Sequence, residues 1–412
     1  MSRSPSMLNR SKIDSLATNR IITRPILIVS IVSLLTDVAS EMLYPVMPMF
    51  LKSIGFSIVG IGLLEGFVEA FAGISKGYFG HLSDRLGKRV PFIRFGYSLS
   101  ALAKPLMALM TFPVWIFLMR TVERLGKGIR TSARDAYLSD YSTPETKGRV
   151  FGFHRSMDTL GASIGPVIAL VVLYYLPERY RLLFVISVIP GILAVLLTFS
   201  VKDTIRKRTA KTSGKSFFSF LSYWKRSSHE YRYLIIGLLA FTLINSSDAF
   251  LLLGLKYKGF SDTQVISFYI FYNLVYAATS YPIGRLSDRI GQKQILVFGF
   301  VIFATVYGLF GFVSTSWALV IVFLLYGIFA SSTEGISKAL ITNIAGKEDT
   351  ATALGFYTGL ASICTLFAST ISGLVWTIWS IKGMFLISAS GALIVTGYFI
   401  LLFRNTRTMK PT

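Results

Sequence analysis

Long stretches without a charged side chain recur along this 412-residue chain, and they limit its fold more than any other feature. Leu182–Val201 runs for 20 residues without Asp, Glu, Lys or Arg, Gln294–Thr333 runs for 40, and Met384–Phe403 lies in another run of 21. About 20 predominantly apolar residues form a helix long enough to cross the hydrocarbon core of a bilayer. The chain is 53% apolar and 15% charged, whereas a soluble domain carries about 25% charged residues. That composition argues against disorder and against a soluble enzyme. The expected fold class is an all-α polytopic membrane protein.

Charge clusters and Gly/Pro breaks divide the chain into twelve predicted spans, near 25–51, 57–80, 90–111, 113–130, 150–176, 181–201, 232–255, 262–284, 294–313, 316–338, 351–378 and 383–403. The implied organisation is a basic tail (1–24), a first half (25–201), a linker (202–231), a second half (232–403) and a short C-terminal tail (404–412). Net charge is +22, which in a soluble chain would suggest nucleic acid. Here the basic residues gather in the tails and even-numbered connections, while the odd-numbered ones hold few, such as Lys52, Arg179, Lys256, Lys258 and Lys382. Basic residues in short loops set orientation, so both termini are expected in the cytoplasm of a bacterial inner membrane, without a nucleic-acid partner. The Ser-rich N-terminus lacks a small-residue cleavage site after an apolar core and reads as an uncleaved tail. Cys364 is the lone cysteine, which leaves no intramolecular disulfide. The linker joins basic residues to Phe217, Phe218, Phe220, Tyr223 and Trp224, and reads either as an interfacial helix or as a solvated loop touching headgroups.

An internal repeat follows from two anchors. GHLSDRLGKR at 80–89 recurs as GRLSDRIGQK at 284–293, and Gly55-Phe56-Ser57 recurs as Gly259-Phe260-Ser261, both at an offset of 204. The chain is therefore two parallel six-helix repeats. The same offset pairs Glu41 with Asn245 and Glu69 with Asn273. In the repeated loop Gly80 lets a helix end pack closely, and Gly87 permits a tight turn. Asp84 can accept hydrogen bonds from a neighbouring helix N-terminus, while Arg85 anchors the basic face. Gly284, Asp288 and Arg289 occupy the same places in the second copy.

Twelve spans, a long central connection and G-x-L-S-D-R-x-G after spans 2 and 8 resemble the major facilitator superfamily. The resemblance covers the chain past residue 25 and implies two halves that rock around a central site. Span 4 carries Arg120, Gly126 and Gly128, and span 5 carries Gly161, Gly165 and Pro166, similar to motifs of the drug:proton antiporter branch. Glu123 and Arg124 depart from that branch's Gln and Gly. The small pair lets helices approach, and the proline permits a kink.

Ionisable residues inside a membrane are functional candidates by default. Asp37 and Glu41 share a face of span 1, Glu65, Glu69 and Lys76 form a stripe on span 2, and Arg120, Glu123, Arg124 and Lys127 fall within an arc of roughly 100° on span 4. Depth counting brings Asp37, Glu65, Arg120 and Glu123 to one level. The expected proton-coupling set is Asp37, Glu41, Glu65, Glu69, Arg120 and Glu123, with Asp37 as carrier and Arg120 as its switching partner. Arg120 and Glu123 equally read as a static ion pair. Asp158, Asn245, Asp248, Asn273, Tyr276 and Glu334 are expected around a substrate cavity, though the Tyr269, Tyr272 and Tyr276 stripe also suits helix packing. Arg94, Lys76 and Lys127 are expected to snorkel to the surface, and His154 to be structural.

No G-x-x-x-x-G-K-[ST] run occurs, so ATP is not the expected driver. His81, His154 and His229 lack metal-ligand spacing, no nucleophile–base set is evident, and no cofactor or metal is expected. The leading expectation is a monomeric, proton-coupled carrier of a small organic molecule, in the direction of efflux. Uptake of a siderophore or other metabolite, a transporter-like sensor, and carboxylate-borne transport of hard cations are the alternatives.

Overall fold

A computed structural model describes residues 21–44, 46–56, 58–176, 179–203, 218–246 and 248–406. The basic N-terminal tail, Phe217 and the basic run of the linker lie outside them. The described residues form twelve helical spans and no strand. In the first half these are span 1 (Arg24–Glu41, resumed at Met47–Ser53), span 2 (Ile58–Leu86), span 3 (Val90–Leu109), span 4 (Pro113–Asp140), span 5 (Lys147–Tyr175) and span 6 (Tyr180–Ile186 and Val188–Thr198). In the second half they are span 7 (His229–Ile244 and Ala249–Tyr257), span 8 (Asp262–Ile290), span 9 (Gln292–Phe310), span 10 (Ser316–Ile344), span 11 (Thr350–Ile378) and span 12 (Ile381–Thr406).

Local chemistry explains the starts and stops. Proline stands in the first turn of spans 1, 3 and 4, where its missing N–H costs no helical bond. A capping box opens span 8: Ser261 Oγ accepts from the Gln264 amide at 3.3 Å, and Gln264 Oε1 accepts from the Ser261 amide at 2.9 Å. The positive-φ glycines of the described residues are Gly55, Gly87, Gly259 and Gly291 (φ 95°, 65°, 90° and 109°). They form two pairs at the offset of 204, so the repeat extends to the backbone angles of its turns. Span 8 begins and ends 204 residues after span 2.

Several spans outrun their predicted ends. Span 4 continues from 130 to Asp140 and span 10 from 338 to Ile344. A 29-residue helix such as span 2 or span 5 is about 43 Å long, more than the ~30 Å of hydrocarbon it crosses. Charged residues marked the predicted ends because a lipid-facing helix cannot carry them, but these charges point into the protein. Spans 5, 6, 9, 10, 11 and 12 are long and apolar enough to cross a bilayer on composition alone. The remaining spans include the broken spans 1 and 7 and those lined with inward charges.

The packing follows the repeat. Span 1 lies on span 5 as span 7 lies on span 11, and spans 3 and 4 pair as 9 and 10 do. The halves meet where span 2 crosses span 11 and span 5 crosses span 8. Small residues make those crossings close: Gly148 and Gly152 lie against the backbone of Gly284 and Ser280, and Gly80 lies against the Ala351 carbonyl. Outward faces are apolar, as with exposed Ile189 and Leu196 on span 6 and Ile394 and Leu401 on span 12. The linker's aromatic patch does not face headgroups throughout. Phe220 and Tyr223 are buried, the Phe220 ring filling the space beside Gly77 on span 2, and Trp224 stacks on Phe356 of span 11 at 5.8 Å.

Candidate functional site

The loops 80–89 and 284–293 lie on one face of the molecule, here called the motif face. There Asp84 Oδ2 accepts from the Thr352 amide at 2.5 Å and from Thr352 Oγ1 at 2.6 Å, in the first turn of span 11. Asp84 also pairs with buried Arg89 at 2.5 Å. Its repeat partner Asp288 accepts from the amides of Gly148 (2.8 Å) and Arg149 (3.0 Å) and from Arg149 Nε (2.9 Å), in the first turn of span 5. Each aspartate thus caps a helix of the opposite half, where unsatisfied amides and the helix dipole favour a negative charge. Gly80 and Gly284 allow the approach; Gly87 turns the chain after span 2, and Gly291 does so after span 8. Lys147 donates to the Thr342 carbonyl at 2.5 Å and Asn343 to Pro144 O at 3.4 Å, adding bonds between halves on the same face.

Above this seam lies a cavity of about 530 Å³, walled by both halves. The helix breaks open onto it. Span 1 stops at Glu41 and span 7 at Ile244, beside Asn245, so the pair matched by the repeat marks both interruptions. Asp37, Glu41, Glu69 and Asp158 line the first-half wall; Asn245, Asp248, Asn273, Tyr276 and Glu334 line the second. Asp248 is held by the hydroxyls of Tyr326 (2.5 Å) and Tyr272 (3.4 Å), and Asn273 Nδ2 donates to the Tyr269 carbonyl. Tyr272 and Tyr276 therefore serve the cavity as well as the packing.

Two charge networks lie beside it. In the first, Arg120 grips Glu65 with Nε and Nη2 at 2.9 and 3.0 Å and Glu123 with Nη1 at 3.0 Å. Arg124 reaches Glu69 at 3.2 Å. The depth count brought Asp37 to this group, but it is not among the carboxylates that Arg120 binds. Its side chain instead meets span 5, on the same cavity wall as Asp158. Gly161 makes that meeting possible, because it brings span 5 against Asp37 and Leu34 of span 1. Gly165, one turn on, continues the contact to the backbone of Val38 and Met42, and Pro166 follows it, buried inside the helix.

The second network surrounds Asp158. Ser33 Oγ donates to Asp158 Oδ1 at 2.5 Å, Arg155 Nη1 to Oδ2 at 2.8 Å, and Arg134 Nη1 stands 3.8 Å away. Arg155 also binds Tyr276 and Glu334 across the cavity, while Arg134 and Lys338 share Asp135 at 2.9 and 2.7 Å. These bonds tie spans 1, 4, 5, 8 and 10 together at the cavity floor. Arg134 and Asp135 lie beyond the predicted end of span 4 at 130, and Lys338 stands at the predicted end of span 10, so none of the three is among the expected site residues. The signal was present, since the stripe Arg120, Arg124, Lys127 continues through Thr131 to Arg134 at helical spacing.

The remaining cations divide. Arg94 reaches the carbonyls of Thr198 (3.2 Å) and Val201 (2.8 Å) at the end of span 6. Lys76 and Lys127 do not snorkel; they line the cavity. His154 is buried beside Ser30, 3.3 Å from its hydroxyl. Arg85 and Arg289 sit in the last turns of spans 2 and 8 on the motif face.

Two six-helix halves closing on one face around a polar central cavity define a carrier rather than an enzyme. The family model described as Major Facilitator Superfamily matches residues 29–271 and 249–412, and the chain belongs to that superfamily of transporters. It is 32% identical over 87% of its length to an uncharacterised MFS-type transporter of Methanocaldococcus jannaschii, covering 90% of that protein. A staphyloferrin B transporter of Staphylococcus aureus is 26% identical over 62% of the chain and 63% of its own length. Multidrug resistance protein 2 of Bacillus subtilis is 22% identical over 81% of the chain and 84% of its own. The structure superposes on the Escherichia coli fucose:proton symporter with a TM-score of 0.74, at 15% identity, over 93% of this chain and 99% of that one.

Proposed function

We propose that the protein is a proton-coupled secondary transporter that exports a small organic molecule by alternating access, with the Asp37–Asp158 pair as its proton site. The observation carrying this reading is that those two acids line one wall of the cavity, where Gly161 brings span 5 against Asp37. Two carboxyl groups held on one buried wall disfavour double ionisation, so one of them readily holds a proton. Asp158 is also the acceptor for Arg155 and Ser33, with Arg134 close by. A movement that strengthens the arginine contacts stabilises the ionised pair and releases the proton, whereas one that withdraws them favours uptake. Two states of different proton affinity are what a gradient needs to do work.

The moving parts are the halves. The Asp84 and Asp288 caps hold the motif face shut in the state seen here, and they must part when that face opens. The basic loops argue that the motif face is cytoplasmic, with both termini on that side. Arg120, Glu65 and Glu123 order span 4 in this reading, and the cavity residues Asn245, Asp248 and Asn273 meet cargo. Relatives named for multidrug resistance support export, and the resemblance to a fucose:proton symporter supports the proton as driver. The relative named for staphyloferrin B supports the second cargo class, a siderophore or similar metabolite.

The test is a substrate screen in proteoliposomes with an imposed pH gradient of either sign. Uphill movement of at least one organic solute, driven by the gradient and lost in Asp158→Asn, is expected. Transport of the same rate with and without the gradient would overturn proton coupling, and movement only in the uptake direction would overturn export.

A further inference from the structure

Four of the six acids on the cavity wall are already answered. Glu69 meets Arg124 at 3.2 Å, Asp158 meets Arg155 at 2.8 Å, and Glu334 pairs with Arg155. Asp248 is satisfied by two tyrosine hydroxyls. The side chains of Asp37 and Glu41, both on span 1, have no ion pair or hydrogen bond among the described residues.

The lining cations are left differently. Arg134 and Lys338 share Asp135, and Arg155 is committed to Asp158 and Glu334. Lys76, Lys127 and Arg130, all on the wall formed by spans 2 and 4, have no carboxylate within ion-pair distance among the described residues. Arg130 donates to Ser100 Oγ at 2.7 Å and stacks on the Tyr97 ring at 4.5 Å, yet its buried Nε has no partner. Lys76 and Lys127 line the cavity with Glu69, and neither ammonium makes a hydrogen bond among the described residues. Three unanswered cations against two unanswered acids, both on span 1, give the wall of spans 2 and 4 a positive surplus, inside a cavity whose low-dielectric walls strengthen it.

We infer that the cargo is a small organic anion, carrying carboxylate or phosphate groups that lie between Lys76 and Lys127 with Arg130 behind them. This rests on reading the cavity as the cargo site. Lysine suits the task, since its ammonium turns freely on a long stem and meets a carboxylate or phosphate as a point charge. The opposite wall offers Phe329, Tyr276 and Tyr326 to the carbon skeleton. An organic cation, by contrast, would find only Asp37 and Glu41 free, both on span 1.

The experiment uses the full chain in detergent micelles, without a gradient, so that binding is read apart from coupling. Citrate, glucose 6-phosphate and benzoate are compared with tetraphenylphosphonium and ethidium by calorimetry and thermal shift. At least one anion is expected to bind, with affinity falling about tenfold or more in Lys76→Gln and in Lys127→Gln, the loss expected for one charged hydrogen bond. Lys127→Arg keeps the charge and should retain most of the binding, which separates recognition from a folding defect. Binding of the cations alone, binding of none of the five, or anion binding unchanged in the double glutamine variant would overturn the inference. If gradient-driven transport of a cation were found while anions failed to bind, the proton-coupled reading would stand and the anion assignment would fall.

Discussion

Spans 2 and 8 end on the same Gly-x-Leu-Ser-Asp-Arg run, and their aspartates cap helices of the opposite half in matching ways. Further along the same helices the match is lost. Glu65 and Glu69 correspond to Tyr269 and Asn273, Asp37 to Phe241, Asp158 to Ser362, and Arg120, Glu123 and Arg124 to Leu324, Gly327 and Ile328. Where the first half builds ion networks, the second stacks aromatic rings, with Phe241 on Phe300 at 4.3 Å and Phe303 on Tyr307 at 4.0 Å. Duplication has kept what lies between the halves and let their interiors diverge. A rocking interface needs symmetry, because each half must close on the other; a proton site is needed only once.

This comparison can be broken at several points. The largest effect is expected from giving span 4 its second-half residue. Arg120→Leu leaves Glu65 and buried Glu123 only the longer contacts of Arg124 at 3.9 and 3.6 Å, which should cost about 3–5 kcal/mol, the range for one partner lost from a buried pair. The triple change Glu65→Tyr, Arg120→Leu, Glu123→Gly, which copies span 8 and span 10, should recover part of that loss. Melting temperatures in detergent measure both, and a triple variant less stable than the single one would show that the network does more than order the helix.

Next comes the clamp. Asp84→Asn and Asp288→Asn each weaken charge-assisted bonds across the halves, each change being worth about 1.5–3 kcal/mol. The symmetry predicts similar cuts in transport, about tenfold or more, with expression nearly intact and the motif face more accessible to thiol reagents at introduced cysteines. Full transport in Asp288→Asn beside a dead Asp84→Asn would mean that the duplicated interface does unequal work. A smaller effect is expected at the linker. Phe220 fills space beside Gly77 and near Gly359, where spans 2 and 11 cross, and has no counterpart among the described residues at the 5–8 crossing. Phe220→Ala should raise accessibility of the motif face a few-fold without touching cargo affinity, as removal of a packed ring from one side of a two-state equilibrium would.

Much of this was legible from residues alone. The spans, the offset of 204 and the pairing of Glu41 with Asn245 follow from where charges, glycines and the repeated loop fall. The residues expected around a cavity do lie on one wall or the other. What could not be read was partnership. Helical spacing shows which residues share a face of span 1, but not that Gly161 brings span 5 against Asp37, with Asp158 on the same cavity wall. Lys76 and Lys127 were expected at the surface because a lysine near a helix end can reach water there; a water-accessible cavity offers the same relief on the inner side. Span 4 ended too early for a related reason. Charge signals the edge of lipid only when the helix faces lipid, and residues 131–138 are buried in protein.

The central claim is that one acid pair, present in the first half and replaced by Phe241 and Ser362 in the second, carries the coupling proton. Counting protons moved per cargo molecule tests it most directly, with a lumenal pH dye and labelled cargo in the same proteoliposomes. Asp37→Asn should exchange labelled for unlabelled cargo at a rate near that of the wild type while moving no protons and building no gradient of cargo. An Asp37→Asn protein that moves protons with cargo in the wild-type ratio would contradict the account and place the proton elsewhere.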